Sequence, residues 1–285
     1  QHNPENPHSL ITNDVTDISP STQHDDGLWI STYYRGIEYL DITSGQFTHY
    51  NKSTVPGLPC DQTWTVLDGG DGNLYIGHVG SGFSIFSPKD KSVKNFRNEA
   101  GNPMSLPGND VFCIIKDANG NIWLGTNNGL ALYDAANENF IMFKNNKNDK
   151  YATLCSRILS IRQLKDNRLW IASELNGIAI LNLKQSMFLS PEEISLEYIQ
   201  EGADSRSLSN ASARCIFQDS FDNIWIGTWG GGINFISSKP PLFTTLSYSP
   251  IPNNENSLNN KVASSLCMDR QGRVWIGTDG GGINV

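Results

Sequence analysis

The sequence predicts an all-β fold built from six copies of one unit, and two markers of the repeat agree on its length. An aromatic residue followed by small and aliphatic residues recurs every 46 to 55 positions, and a leucine precedes it by 16 to 19 positions. A unit of this size cannot bury a core alone, so neighbouring units must stack. The aromatic residues are Trp29, Tyr75, Trp123, Trp170, Trp225 and Trp275, and the leucines are Leu10, Leu58, Leu106, Leu154, Leu208 and Leu258.

The third unit shows most clearly which elements the repeat contains. Its apolar runs are four to six residues long and rich in Val, Ile, Phe and Trp. Such runs are too short for helices and predict strands. In chain order they are strand A (Val111 to Lys116), strand B (Ile122 to Thr126), strand C (Leu130 to Tyr133) and strand D (Phe140 to Phe143). Each unit is therefore predicted to be a four-stranded meander.

The turns between these strands are explained by backbone chemistry. Several A–B turns begin with an aspartate, at Asp117, Asp219 and Asp269. An aspartate in this position accepts hydrogen bonds from the backbone of its own turn, which we favour over the alternative of calcium binding. The glycine-rich B–C turns, as at 230–232, precede no predicted helix, so they do not predict a phosphate-binding loop.

Six such sheets arranged around one axis make a β-propeller, which is the fold that we predict. The predicted blades cover residues 10–57, 58–105, 106–153, 154–207, 208–257 and 258–285 of a single domain, 1–285. The residues before Leu10 echo those before Leu258, and Val285 falls within strand C of the sixth unit. The sixth blade is thus incomplete, and we expect the chain to be a piece of a longer protein with a seven-bladed propeller.

The composition excludes several classes of protein. Hydrophobic residues make up 38% of the 285 positions and 26 are glycines, as is typical of many short strands and tight turns. The net charge of −8 opposes nucleic-acid binding, and no apolar run approaches the roughly 18 residues of a membrane span. Five cysteines without CxxC spacing predict neither a zinc site nor a redox pair. We expect them to be small buried residues, and we expect no metal or cofactor.

The recurring residues also carry a family resemblance. The pattern Ser-Leu-x-x-Asn, then an inner strand ending in Asp, then Asn-Ile-Trp-Ile-Gly-Thr-x-Gly-Gly-Gly-Ile-Asn is most complete at Ser207 to Phe235 and Ser257 to Val285. It resembles the two-component regulator propeller repeat. The resemblance covers all six units and is weakest in unit one, whose A–B segment is two residues longer, and in unit four, where Ala172 to Leu175 replace Gly-Thr.

That repeat is typical of the periplasmic sensor region of hybrid two-component systems in Bacteroidetes. The resemblance implies a chain that detects an oligosaccharide or other small molecule and controls polysaccharide-utilisation genes, through a histidine kinase elsewhere in the same protein. It implies further domains of the same chain as partners, allows a homodimer, and places any membrane attachment outside this sequence. The fragment itself is not expected to be an enzyme or to bind nucleic acid.

Candidate ligand-binding residues follow from the geometry of the meander. The B–C turns and the starts of the A strands share one face, where most positions hold Gly, Asn or Ser, so departures from these types are informative. Aromatic rings can stack on the apolar faces of sugars, while Arg and Glu bond to hydroxyl groups. The candidates are Tyr33, Tyr34 and Arg35 in unit one, Trp64 and His78 in unit two, Arg157 and Glu174 in unit four, and Arg214 and Trp229 in unit five.

Two other function classes stay open on the sequence alone. A propeller lyase would need a histidine and an acidic group on the ligand face, and His78 is the one histidine placed there. A propeller glycosidase would need paired carboxylates, and no such pair breaks the repeat. A pure protein-interaction scaffold would use the same disc without a small molecule. Each candidate also has a structural explanation, in which an aromatic ring covers a neighbouring turn or an arginine pairs with a local carboxylate.

Overall fold

The computed structural model shows a nearly all-β chain. It describes residues 1–143, 152–183, 196–202, 207–239, 248–249 and 257–285. These form two compact units, Gln1–Ser238 and Lys239–Val285. The helix that they contain, α1, spans only Ala152–Cys155. The described residues include no helix that is long and apolar enough to cross a membrane.

The first unit contains four four-stranded antiparallel sheets, whose strands pair in chain order. Sheet 1 consists of β1 Val15–Pro20, β2 Gly27–Thr32, β3 Gly36–Asp41 and β4 Gln46–Tyr50. Sheet 2 consists of β5 Thr63–Asp68, β6 Leu74–His78, β7 Phe83–Phe86 and β8 Val93–Phe96. Sheet 3 consists of β9 Val111–Lys116, β10 Ile122–Thr126, β11 Gly129–Asp134 and β12 Asn139–Met142. Sheet 4 consists of β13 Ile158–Gln163, β14 Arg168–Ser173, β15 Ile178–Asn182 and β16 Leu196–Ile199.

Two further sheets have three strands each among the described residues. Sheet 5, in the first unit, consists of β17 Ala213–Gln218, β18 Ile224–Thr228 and β19 Ile233–Ile236. Sheet 6, in the second unit, consists of β20 Ala263–Met268, β21 Val274–Thr278 and β22 Gly282–Asn284. All six aromatic markers lie on the second strand of their sheets. The predicted β-propeller of meander blades is therefore confirmed, while the blade number of the whole protein stays a prediction.

The hydrophobic core is divided among the interfaces between consecutive sheets. Trp29 and Ile37 of sheet 1 pack with Leu74 and Phe86 of sheet 2. Three further clusters join sheets 2 and 3, sheets 3 and 4, and sheets 4 and 5 in the same way. Stacking of the units, as expected from their size, thus provides the core that no single sheet has.

The leucine that opens each sequence repeat is buried in all six repeats. In three units it also forms a parallel bridge to a residue seven to ten positions earlier, and these bridges are His2 with Leu10, Glu201 with Leu208 and Tyr248 with Leu258. The bridge at Leu10 therefore matches those at Leu208 and Leu258, in agreement with the similarity between the N-terminal residues and those before Leu258.

A β-bulge recurs at the start of every first strand. In sheet 2, Thr63 pairs with His78 and Thr65 pairs with Gly77, so Trp64 has no partner across the ladder. The unpaired residues in the six sheets are Thr16, Trp64, Phe112, Leu159, Arg214 and Ser264. A bulge changes the direction of the side chain that it carries. One side chain per blade is therefore redirected at the same level of the sheet.

The A–B turns combine an aspartate with the aromatic marker of the next strand. In sheet 3 the indole Nε1 of Trp123 donates to Asp117 at 2.9 Å, and the backbone N–H groups of Asn119 and Asn121 donate to the same carboxylate. Sheets 5 and 6 repeat the indole bond, at 3.0 Å each. The described residues hold no cluster of His, Cys, Asp and Glu arranged for a metal ion. The hydrogen bonds that each carboxylate accepts within its own turn account for these aspartates, in agreement with the turn role that the sequence favoured.

Sheet 4 lacks this bond because Leu164 stands where the turns of sheets 3, 5 and 6 have aspartate. Its indole, on Trp170, is buried, and Nε1 has no hydrogen-bond partner among the described residues. Leu164 instead joins the apolar cluster between sheets 4 and 5. The turn has thus exchanged a polar contact for a hydrophobic one.

The cysteines follow the prediction of burial only in part. Cys113 packs against the core between sheets 3 and 4, and burial raises the pKa of its thiol to about 12. Cys215 and Cys267 are exposed, so the prediction is wrong for these two. Cys215 occupies the position of Cys113 in sheet 5, but no sheet follows sheet 5 within its own unit. Sheet 6, which carries Cys267, likewise has no neighbour within the second unit.

We expect Asp117→Ala to lower the free energy of unfolding by about 1–3 kcal/mol, because the buried indole N–H of Trp123 loses its acceptor. Urea unfolding measured by circular dichroism checks this. Asp25→Ala is the control, since Asp25 is exposed in the β1–β2 turn and its side chain makes no hydrogen bond to the described residues. Equal losses in the two variants would show that the indole bond contributes nothing.

We also expect acid to weaken the fold through the turn carboxylates. The bond from the Trp225 indole holds the pKa of Asp219 at about 2, and the bond from Trp275 holds that of Asp269 at about 2. Both lie below the roughly 3.9 of an unfolded aspartate, so their stabilisation is complete above pH ~4 and is lost as the pH falls towards 2. Urea midpoints measured from pH 5 to pH 2.5 should fall over this window. Trp225→Phe should reduce the fall, and an unchanged pH profile in that variant would contradict the assignment.

Candidate functional site

Most of the sequence-predicted residues meet on one edge of the first unit. Tyr33 and Tyr34 lie in the β2–β3 turn, Glu174 in the β14–β15 turn and Trp229 in the β18–β19 turn. Trp64 and Arg214 are bulge residues, and Arg157 directly precedes β13. The antiparallel meander brings B–C turns and strand A starts to the same face, so all seven share it.

The first half of this row is aromatic. The ring centroids of Tyr34 and Tyr33 are 4.2 Å apart, and Tyr33 meets Trp64 edge to face at 5.9 Å. Trp64 in turn meets Phe112, the bulge residue of sheet 3, at 5.5 Å. Edge-to-face contacts of this length are favourable and orient each ring. Three consecutive blades therefore present one continuous aromatic surface.

The second half of the row alternates charged and aromatic groups. The guanidinium of Arg157 lies 5.5 Å from the centre of the Phe112 ring and 3.0 Å from a carboxylate oxygen of Glu174. Arg214 lies 3.8 Å from the other Glu174 oxygen and 4.4 Å from the centre of the Trp229 ring. We call the continuous row Tyr34, Tyr33, Trp64, Phe112, Arg157, Glu174, Arg214 and Trp229 the rim arc.

The rim arc keeps binding capacity on its accessible side. Trp229 is 67% exposed and Tyr34 is 54% exposed, so large aromatic surfaces face solvent. Two guanidinium groups share the single carboxylate of Glu174, and the buried Nε of Arg214 has no hydrogen-bond partner among the described residues. The arc therefore offers ring faces and hydrogen-bond donors together, which suits a ligand with apolar patches and hydroxyl groups.

A cavity of about 530 Å³ adjoins the arc. Its wall is formed by the first strands of sheets 1 to 5 and includes the arc residues Trp64, Phe112 and Arg214. The volume lies within the roughly 300–1,000 Å³ that small-molecule sites occupy. A ligand on the arc could therefore extend from the rim into the space between the inner strands.

Two candidates lie apart from the arc. His78 is the last residue of β6 and not a turn residue, and it is fully buried. Its ring nitrogens lie 2.7 Å from Ser84 Oγ and 3.5 Å from Cys60 Sγ, and burial lowers its pKa to about 4, so it is neutral at pH 7. Arg35 is exposed and forms no hydrogen bond or ion pair with the described residues.

The sequence did not single out Phe112 as a candidate, although it connects the two halves of the arc. Phenylalanine is unremarkable within an apolar strand, and alternation alone would place it like any other strand residue. The signal is positional, because Phe112 stands one residue after the start of β9, as Trp64 and Arg214 do in β5 and β17. Comparing bulge positions across blades would have found it.

The fold and its repeats define the class of the protein. The two-component regulator propeller family matches residues 105–128, 207–230 and 257–280. The chain is thus a β-propeller that carries two-component regulator propeller repeats, as the sequence pattern indicated.

Within this class the chain is similar over its whole length to one solved structure, the extracellular domain assigned to a hybrid two-component system of B. thetaiotaomicron. The identity is 60% and the TM-score is 0.73. The alignment covers 100% of this chain and 34% of that structure. The chain therefore spans about a third of this relative. The structural homologue is an extracellular domain, consistent with a sensor region.

Two further relatives are more distant. The extracellular domain assigned to a one-component system of B. thetaiotaomicron is 20% identical over 97% of this chain and 35% of its own, with a TM-score of 0.62, and supports the fold alone. Histidine kinase P4 of Formosa agariphila is 30% identical over 92 residues, which are 31% of this chain and 7% of the kinase.

Proposed function

We propose that this chain is the ligand-sensing, periplasmic propeller of a hybrid two-component sensor histidine kinase, and that its rim arc binds an oligosaccharide. In this proposal ligand binding controls genes for the use of a polysaccharide. The observation that carries the ligand site is the contact between seven of the nine candidate residues through Phe112. The similarity to the extracellular domain of a hybrid two-component system supports the sensor role.

The chemistry of the arc favours a saccharide over other small molecules. Sugar rings have apolar C–H faces that stack on aromatic side chains, and the arc offers exposed rings at both ends, on Tyr34 and Trp229. Sugar hydroxyls need directed donors and acceptors, and Arg157, Glu174 and Arg214 supply both types between the rings. An extended ligand of several sugar units matches an arc that crosses five blades.

The arginines are held in place before any ligand binds. Arg214 is stacked against Trp229, Arg157 lies against Phe112, and both are paired with Glu174. A fixed guanidinium loses less side-chain entropy on binding than a free one, which favours affinity. The pairs with Glu174 are only partly buried, so each contributes little to stability by itself. Their role in this proposal is to orient the donors.

We expect Trp229→Ala and Tyr34→Ala each to weaken oligosaccharide binding roughly 5- to 150-fold, because an aromatic ring that the bound sugar covers contributes about 1–3 kcal/mol. Isothermal titration calorimetry of the 285-residue chain against a panel of plant and host oligosaccharides measures this. Asn119→Ala is the matched control, since Asn119 is exposed in an A–B turn on the opposite face. Its affinity should equal that of the parent protein.

Three results would decide against the proposal. Binding that is unchanged in Trp229→Ala and Tyr34→Ala but lost in A–B turn variants would show that the site lies on the A–B face and not on the rim arc. Failure of every oligosaccharide in the panel would remove the saccharide assignment from this chain. Turnover of an oligosaccharide into products would identify a propeller enzyme instead of a sensor.

A further inference from the structure

A second cavity, of about 470 Å³, lies between sheets 1 and 2 on the face opposite the rim arc. Its walls come from the β1–β2 turn, the β5–β6 turn and the β7–β8 turn, all of which lie on the A–B side of their sheets. The equivalent groove between sheets 2 and 3 holds about 310 Å³. Of these two grooves, sheet 1 contributes to the larger one only, so its residues are the ones that distinguish the two.

The cavity exists because sheet 1 lacks the usual turn around its tryptophan. In sheets 3, 5 and 6 the residue two positions before the tryptophan is Asn or Arg, and its side chain bonds to the turn aspartate. Gly27 holds this position in sheet 1, and Gln23 holds the position of the aspartate. The indole of Trp29 consequently donates across the interface to Asp68 of sheet 2, at 3.3 Å.

Two tyrosines occupy the space that these changes leave. Tyr39 pairs with Trp29 across the ladder, where the other sheets have an apolar residue, namely Ile85, Leu132, Ile180 and Phe235. A Cβ atom at Gly27 would clash with the Tyr39 ring, so the glycine is required for this placement. Tyr50 stands where sheet 2 has Phe96. The ring centroids of Tyr39 and Tyr50 lie 4.9 and 5.6 Å from that of Trp29.

The tyrosine hydroxyls are free to bind a ligand. Neither Tyr39 Oη nor Tyr50 Oη forms a hydrogen bond with the described residues, and neither is sealed from solvent. In the groove between sheets 2 and 3, by contrast, the hydroxyl of Tyr75 already donates to Asp71 at 3.0 Å. Two hydroxyls at positions that are otherwise apolar are a departure that packing alone does not require.

The charges at the cavity narrow the chemistry of its ligand. Asp68 accepts from five donors, on Ser21, Thr22, Trp29 and Gly70, and so has little remaining capacity. Asp68 and Asp71 would repel an anion, and Lys89, which also lines the cavity, offsets part of their negative charge. Rigid aromatic faces beside uncommitted hydroxyls suit a neutral ring that carries hydroxyl groups of its own.

We propose that this groove is a second binding site that takes a neutral saccharide of one or two rings. This second site is separate from the rim arc. The inference does not depend on the function proposed for the rim arc. Tyr39 and Tyr50 bind sugar hydroxyls in this site, and the aromatic cluster around Trp29 holds their rings in position.

The test removes only the two hydroxyls. The double variant Tyr39→Phe, Tyr50→Phe keeps both rings. Phenylalanine already occupies the position equivalent to Tyr50 in sheet 2, at Phe96. Ligand-observed NMR titrations with glucose, galactose, xylose and cellobiose should show binding to the parent chain. In the double variant the affinity should fall about 5- to 150-fold, as expected for two hydrogen bonds of roughly 0.5–1.5 kcal/mol each. The same titrations should be unaffected by Trp229→Ala on the rim arc.

Other outcomes overturn the inference and separate it from the proposed function. Binding that Trp229→Ala abolishes and the double variant retains would leave the rim arc as the site and reject the groove. Binding of choline or glucuronate in place of the neutral sugars would reject the ligand class. The absence of any binding by the four probes would reject the second site, whatever the larger oligosaccharides do at the rim arc.

Discussion

The contact between consecutive sheets is the constraint on which the rest of the structure depends. Each cluster of buried residues in the first unit joins two neighbouring sheets, and among the described residues no sheet has a core cluster of its own. The opening residues Leu58, Leu106, Leu154 and Leu208 lie in these shared clusters and explain why the leucine recurs. Because cohesion resides between the sheets, residues at the turn tips and bulges can vary without loss of core.

This division explains how much of the molecule the sequence could reveal. The markers that recur are those that pack between sheets or close turns, so strand order and the Trp123–Asp117 type of turn were predictable. The repeat also fixes the end of the blade at which each turn lies, whatever residue occupies the tip of that turn. A departure such as Trp229 or Glu174 could therefore be assigned to a face from its position alone.

The remaining features depend on contacts that no local pattern encodes. An alternating pattern does not show where a strand carries an extra residue, so the bulges that redirect Phe112 and Arg214 were missed. His78 was predicted to lie in a B–C turn, whereas it ends β6 as Thr126 ends β10, and its ring contacts Ser84 and Cys60 inside the sheet. The bond from Trp29 to Asp68 joins sheet 1 to sheet 2, and no local sequence pattern at either residue predicts it.

Both candidate sites arise where blades depart from the repeat, the rim arc across five blades and the groove in sheet 1, and they depend on different kinds of position. The rim arc uses turn and bulge positions, whose substitution leaves the shared cores intact. The groove uses Gly27 and Tyr39, which lie beside a core tryptophan, and its formation moves the indole bond of Trp29 to the next sheet. Trp170 shows that the fold tolerates the loss of such a bond altogether. Since each interface is stabilised locally, a change in one turn affects only the adjoining interface, and binding chemistry can arise at one interface without loss of the other cores.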